Sequence, residues 1–196
     1  MPTSNPTILG IDPGSRITGY GLVVRHKNTF SYLASGCIRI TATSLSQKLA
    51  QIYAGISEVL ARYQPNQVAI EKVFMAKNAD SALKLGQARG AAITCLANHG
   101  LEVSEYAAKE VKLAVTGSGA AEKHQMQQMV TRLLKLNAQP SEDAADALGI
   151  ALCHGYASSG LLAVHLASRP AKASASALVN HKRSSSWRSF KPAVGS

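Results

Sequence analysis

The chain has 196 residues and a mean hydropathy near zero, which suits one well-buried domain, is short for two, and leaves no apolar run near the ~20 residues that span a bilayer. Its formal charge is +10, but Arg169, Lys172, Lys182, Arg183, Arg188 and Lys191 all lie in residues 161–196 with no acid; taking those six away leaves +4 for residues 1–160, so charge alone argues only moderately for a polyanionic partner. Met1 to Thr7 has neither the basic start nor the apolar core of a secretory signal, and Cys37, Cys95 and Cys153 are too few and too scattered for a disulfide framework or zinc knuckle, so a reducing cytoplasm without membrane attachment is expected.

In chain order, Thr7 to Ile11 form a short apolar run that ends on Asp12 and is broken by Pro13-Gly14-Ser15, as a buried strand entering a turn would be. Gly19 to Arg25 and Phe30 to Ile40 read as two more strands joined across His26-Lys27-Asn28. The period then changes. Leu45, Leu49, Ile52, Tyr53, Ile56, Val59, Leu60 and Tyr63 fall on one helical face that must stop before Pro65. Gln67 to Glu71 is strand-like and again ends on a carboxylate. Residues 79–98, rich in Ala, Leu and Gly, read as a helix. A strand over Leu101 to Tyr106, a short helix over 107–115 and a flexible loop at Thr116-Gly-Ser-Gly-Ala follow. Met126, Met129, Val130, Leu133 and Leu134 mark another helix, and Pro140-Ser141 introduces a last one with Ser141 as its expected N-cap. Residues 1–159 therefore form a mixed α/β domain, and 160–196 read as a basic, Ala/Ser-rich and mostly disordered tail.

The chemistry lies in the acids. There are four aspartates, Asp12, Asp80, Asp143 and Asp146. Asp12 and Glu71 each close an apolar strand, and neighbouring parallel strands bring their ends side by side. Asp143 and Asp146, three apart, share one helix face. Four carboxylates gathered there oppose one another's ionisation unless a cation joins them. Magnesium, with its preference for oxygen ligands and retained waters, resolves that conflict, and two such ions about 4 Å apart suit phosphodiester hydrolysis. Structural alternatives stand beside this: acids are favoured in a first helical turn, and Asp-Pro-Gly is an ordinary turn. Taken together the four favour catalysis over structure.

The residues around these acids resemble the RuvC family of Holliday-junction resolvases. Ile11-Asp-Pro-Gly-Ser-Arg-Ile-Thr-Gly-Tyr-Gly21 is similar to the family's first catalytic strand and turn. Ala69-Ile-Glu-Lys-Val-Phe-Met-Ala-Lys-Asn-Ala-Asp-Ser-Ala-Leu-Lys-Leu-Gly-Gln-Ala-Arg-Gly90 is similar to its most distinctive block, and Glu142-Asp-Ala-Ala-Asp-Ala-Leu148 to its final acidic helix. The likeness runs from about Thr7 to Ala157 and leaves out the basic tail. Lys72 stands where many relatives carry Gln, and Asp143 where some carry His.

The resemblance implies a ribonuclease H-like fold, with a mixed five-stranded sheet flanked by helices, which the order of elements fits among several α/β options. It implies a homodimer that cuts a four-way DNA junction by paired symmetrical nicks, in recombination and repair, with RuvA and RuvB branch-migration proteins as partners. Asp12, Glu71, Asp143 and Asp146 would be the catalytic acids and would hold Mg2+, two ions per site with Mn2+ as a substitute. A metal-activated water would leave 5′-phosphate and 3′-hydroxyl ends. Phe74 would stack on a base at the opened junction, although composition alone favours a core Phe. Lys112 and Lys123 would lie near the cleaved phosphate, Lys123 in a catalytic role, against the ordinary reading of solvated lysines. Lys77, Lys84 and Arg89 would contact the DNA backbone. Gly86 and Gly90 let another helix approach, either within the chain or across a dimer interface. His124, His154 and His165 receive no catalytic role. Rival readings are an RNA-processing nuclease of the same fold, a nucleotide-binding domain related to actin-like ATPases, and a catalytically silent DNA-binding module.

Overall fold

A computed structural model describes residues 5–72, 78–160, 162 and 165. Three strands, β1 (Thr7–Asp12), β2 (Ile17–His26) and β3 (Thr29–Arg39), form the expected antiparallel meander, with Lys27 at φ 50 in the second turn. Helix α1 (Leu45–Tyr63) matches its periodic stretch from end to end. Its N-terminus is capped by Ser44, whose side chain accepts from the Gln47 N–H, and it ends where Gln64 turns left-handed before Pro65. Strand β4 (Gln67–Lys72) returns parallel to β1, and after α2 (Ala79–Asn98) strand β5 (Val103–Ala107) adds parallel to β4. Helices α3 (Ala108–Thr116), α4 (Lys123–Leu133) and α5 (Glu142–Ser158) follow, and the strand order is β3-β2-β1-β4-β5. Strand β5 starts two residues later than its apolar run because the Leu101 N–H is still committed to the Leu96 carbonyl in the turn leaving α2.

Strand alternation divides the interior into two layers. Leu9, Ile11, Leu22, Val68 and Ile70 face α1 and α2, where they meet Ile52, Ile56, Ala88, Ala92 and Leu96. Ile8, Val23 and Ala69 face the other way, toward Val111, Val115, Met126, Val130 and the long buried row of α5. Helix α5 lies almost on the sheet backbone. A Cβ at Gly10 would stand 2.1 Å from the Ala147 carbonyl oxygen, and one at Gly19 would stand 2.1 Å from that of Asp143. Only glycine fits under a helix that close.

Three local expectations need correction or refinement. Ser141 holds the N-cap position of α5 but makes no capping bond; its hydroxyl instead meets the Cys37 thiol at 3.3 Å. Among the described residues nothing lies within 4 Å of a Cβ at Gly86 or Gly90, so packing against them does not explain why these residues are small. Beyond α5, Leu162 packs on the α5 layer and His165 stacks on Tyr156 at 3.9 Å, so ordered packing continues a little past residue 160.

Candidate active site

Register places the first two acids. In the parallel pair of β1 and β4, Ile11 stands opposite Ile70, so Asp12 and Glu71 leave the sheet side by side at the same edge. Ile11 and Ile70 point to the α1/α2 layer, and alternation sends both carboxylates toward α5. On the other flank of β1, Asp12 pairs with Gly19, and Gly19 is the residue on which the Asp143 backbone rests. The first turn of α5 is thereby pressed down beside Asp12. Asp146, one turn along, follows on the same face.

The four carboxylates share one electrostatic environment. Burial pushes the Asp12 carboxyl up to about 8, reinforced by the charges of Glu71, Asp146 and Asp143 and by a hydrogen bond to Glu71. Burial also raises Glu71, while the Asp12 hydrogen bond and the Lys112 charge pull it back. Asp146 rises to about 6, first by burial and then against the lowering influence of Lys123, with Glu71, Asp143 and Glu142 adding repulsion. Among the described residues no group of three or more His, Cys, Asp or Glu is arranged so that it could hold a metal ion as it stands. The chemistry of the donor set nevertheless fits a hard divalent cation: every ligand atom is oxygen, and a cation would offset the burial and mutual repulsion that raise Asp12 and Asp146.

Two of the expected basic residues come to the cluster. Lys112 on α3 acts electrostatically on Glu71, and Lys123 at the start of α4 feels Glu142, Asp146 and Asp143. The Lys123 ammonium lies 3.0 Å from a Glu142 carboxylate oxygen, and both side chains are largely exposed. Lys84 is paired instead with Asp80, one turn back on α2, at 2.6 Å. Arg89 points inward: its Nε donates to the Glu71 carbonyl at 3.2 Å and its Nη2 to Glu105. Phe74 and Lys77 lie outside the described residues, as does the tail beyond 160 apart from Leu162 and His165.

Sequence reasoning missed Glu142 as the partner of Lys123, Glu105 as the partner of Arg89, and a buried polar pair behind the acids. In that pair Tyr106 and His154 share a 3.0 Å hydrogen bond, with burial and Arg25 holding the imidazole pKa down and the phenol pushed up to about 12 by burial. Glu105 and Arg89 lie sixteen apart across a helix and a strand, a separation without a periodic signal.

Residues 8–154 match the family described as crossover junction endodeoxyribonuclease RuvC. The chain belongs to that family. The RuvC endonuclease of Chromohalobacter salexigens is 64% identical over 153 residues, 78% of this chain and 82% of that protein, and that of Vibrio vulnificus is 57% identical over 157 residues, 80% and 91% of the two chains. Among solved structures, Thermus thermophilus RuvC in complex with a Holliday junction substrate superposes with a TM-score of 0.73 at 33% identity, covering 80% of this chain and 97% of that one. The yeast mitochondrial resolvase Ydc2, at 11% identity and a TM-score of 0.59 over 84% of this chain and 85% of its own, shares the fold. The fold is thus the ribonuclease H-like one expected from the sequence, and RuvC proteins are metal-dependent nucleases that resolve Holliday junctions. No helix among the described residues is long and apolar enough to cross a membrane.

Proposed function

We propose that Asp12, Glu71, Asp143 and Asp146 are the acids with which this RuvC chain cuts four-way junction DNA, and that they hold magnesium, two ions per site. The observation that carries this reading is the convergence of residues 12, 71, 143 and 146 into one mutually repelling, partly buried unit. Bound magnesium would neutralise those carboxylates and acidify a water facing the scissile phosphate. The carboxylates would hold the ions, and the two strand ends and the helix turn pressed on glycine fix where those carboxylates emerge. Lys112, whose charge acts on Glu71, and Lys123, whose ammonium feels Asp143 and Asp146, would stabilise negative charge gathering on the phosphate. Attack by water on phosphorus with loss of the 3′ oxygen leaves a 5′-phosphate and a 3′-hydroxyl.

Two symmetrical cuts need two such sites. The open face of α2, with Gly86, Gly90 and an exposed Leu83, suits close approach by a second copy of the chain. Phe74 stacking on an unpaired base, Lys77 and Lys84 on the backbone, RuvA and RuvB as partners, and a cytoplasmic location complete the reading, each supported by the family resemblance.

The test is a synthetic four-way junction with magnesium. Wild-type protein gives paired nicks at symmetrical positions. Glu71→Gln and Asp146→Asn lose cleavage by about 1,000-fold or more while binding the junction in magnesium-free buffer within about threefold of wild type. Full cleavage by Asp143→Asn would remove that residue from the set.

A further inference from the structure

Arg89 sits on α2, yet its guanidinium reaches the end of two strands. Nε donates to the main-chain carbonyl of Glu71 at 3.2 Å, and Nη2 to the Glu105 carboxylate at 2.5 Å. Its side chain is 21% exposed, whereas that of Lys84, five residues earlier on α2, is 58% exposed. Glu105 pairs in register with Ile70, and Tyr106 with Glu71, so the guanidinium spans the β4–β5 ladder at the step where Glu71 turns its carboxylate to the other face. Glu71 is the last residue but one of β4. A planar fork holds a carbonyl and a carboxylate from separate nitrogens in fixed directions, whereas an ammonium is a single point with three rotating donors and fixes no such span.

We infer that Arg89 is a positioning residue for the Glu71 carboxylate rather than a contact to the DNA backbone. The guanidinium locks the Glu71 peptide from the α2 side, and the locked peptide sets where the carboxylate emerges on the α5 side. Glu105 completes the device by holding the guanidinium, so an acid that would otherwise only repel DNA contributes to metal loading. The role rests on Glu71 being one of the metal-holding acids. Removing a group that orients a ligand weakens metal loading about 10- to 100-fold without touching the ligand itself.

The experiment titrates magnesium against junction cleavage for wild type, R89Q, R89K, E105Q and E71Q, with junction affinity measured in parallel across a salt series. The expected result is a rise of about tenfold in the magnesium needed for half-maximal cleavage by R89Q, with much of the rate recovered at saturating metal. R89K, which keeps the charge and loses the fork, shifts in the same direction, and so does E105Q, by about threefold. Junction affinity and its salt slope stay at wild-type values in all three. A phosphate contact gives a different pattern: R89Q binds more weakly with a salt slope lower by about one, R89K is nearly normal, and E105Q binds as well as wild type or better. That pattern overturns the inference, as do R89Q and E105Q titrations that coincide with wild type. Cleavage retained by E71Q would instead sink the active-site reading itself. Should R89Q fail to fold, R89K and E105Q carry the decision.

Discussion

The two faces of the sheet do different work. On one side α1 and α2 pack through large branched side chains, Ile52, Ile56 and Leu96 against Ile11, Leu22 and Ile70, in the manner of any amphipathic layer. On the other, α5 brings mostly small residues down onto glycines, close enough that backbone meets backbone. Large side chains tolerate small shifts by changing rotamer. Backbone on backbone does not shift. The acids are carried by the rigid side, and the contrast teaches that this fold spends its tightest packing on aiming charges, and its ordinary packing on stability.

The sharpest way to break that contrast is Gly19→Ala. The new Cβ would collide with the Asp143 carbonyl, the first turn of α5 must lift, and cleavage should fall by about 100-fold or more, read as the single-turnover rate on a bound junction. Survival of near-normal cleavage would mean that α5 is less tightly seated than its contacts indicate. The complementary change is Ile56→Ala on the opposite face. It should cost about 2–5 kcal/mol in denaturant unfolding while the folded fraction cuts at a rate within about twofold of wild type.

A third effect sharpens the electrostatic side of the contrast. The folded pKa of Asp12, about 8, lies above its ordinary 3.8, so between those values the folded chain binds more protons than the unfolded one. This component of stability is fully present below about pH 4 and is lost as pH rises through about 8. Asp146, raised to about 6, acts with the same sign. The melting temperature of metal-free protein should therefore drop by several degrees across that window. Magnesium should flatten the profile, and Asp12→Asn should remove most of the slope. A metal-free profile that rises with pH would contradict the shared burial of these groups. The smallest effect separates two helix starts. Ser44→Ala, losing a cap bond, should cost about 1 kcal/mol, and Ser141→Ala, losing none, within about 0.5 kcal/mol.

Much of this was legible in the sequence, for reasons that can be named. Helix α1 announces itself by period and is stopped by Pro65, and the strands ending on Asp12 and Glu71 show as apolar runs cut by a charge. Asp143 and Asp146 declare their common face by spacing. What stayed hidden depends on contacts between distant residues. Nothing in the sequence marks the glycines of β1 and β2 as the floor under a helix, and their role shows only when α5 is seen lying on them. Arg89 reads as one more cation in a basic block until its fork is found on Glu71 and Glu105. Ser141 has the right residue type for a cap, and only the nearby Cys37 thiol shows where its hydroxyl goes instead.

Placing Asp12 on the first strand and Asp143 and Asp146 on the last helix has an outcome for the cell. A nascent chain emerging from the ribosome owns only half of its acids until α5 has been made and has settled onto the sheet. If the four acids act as proposed, truncated or stalled products lack the complete set, and the ability to cut a junction arrives only once α5 has folded onto the sheet.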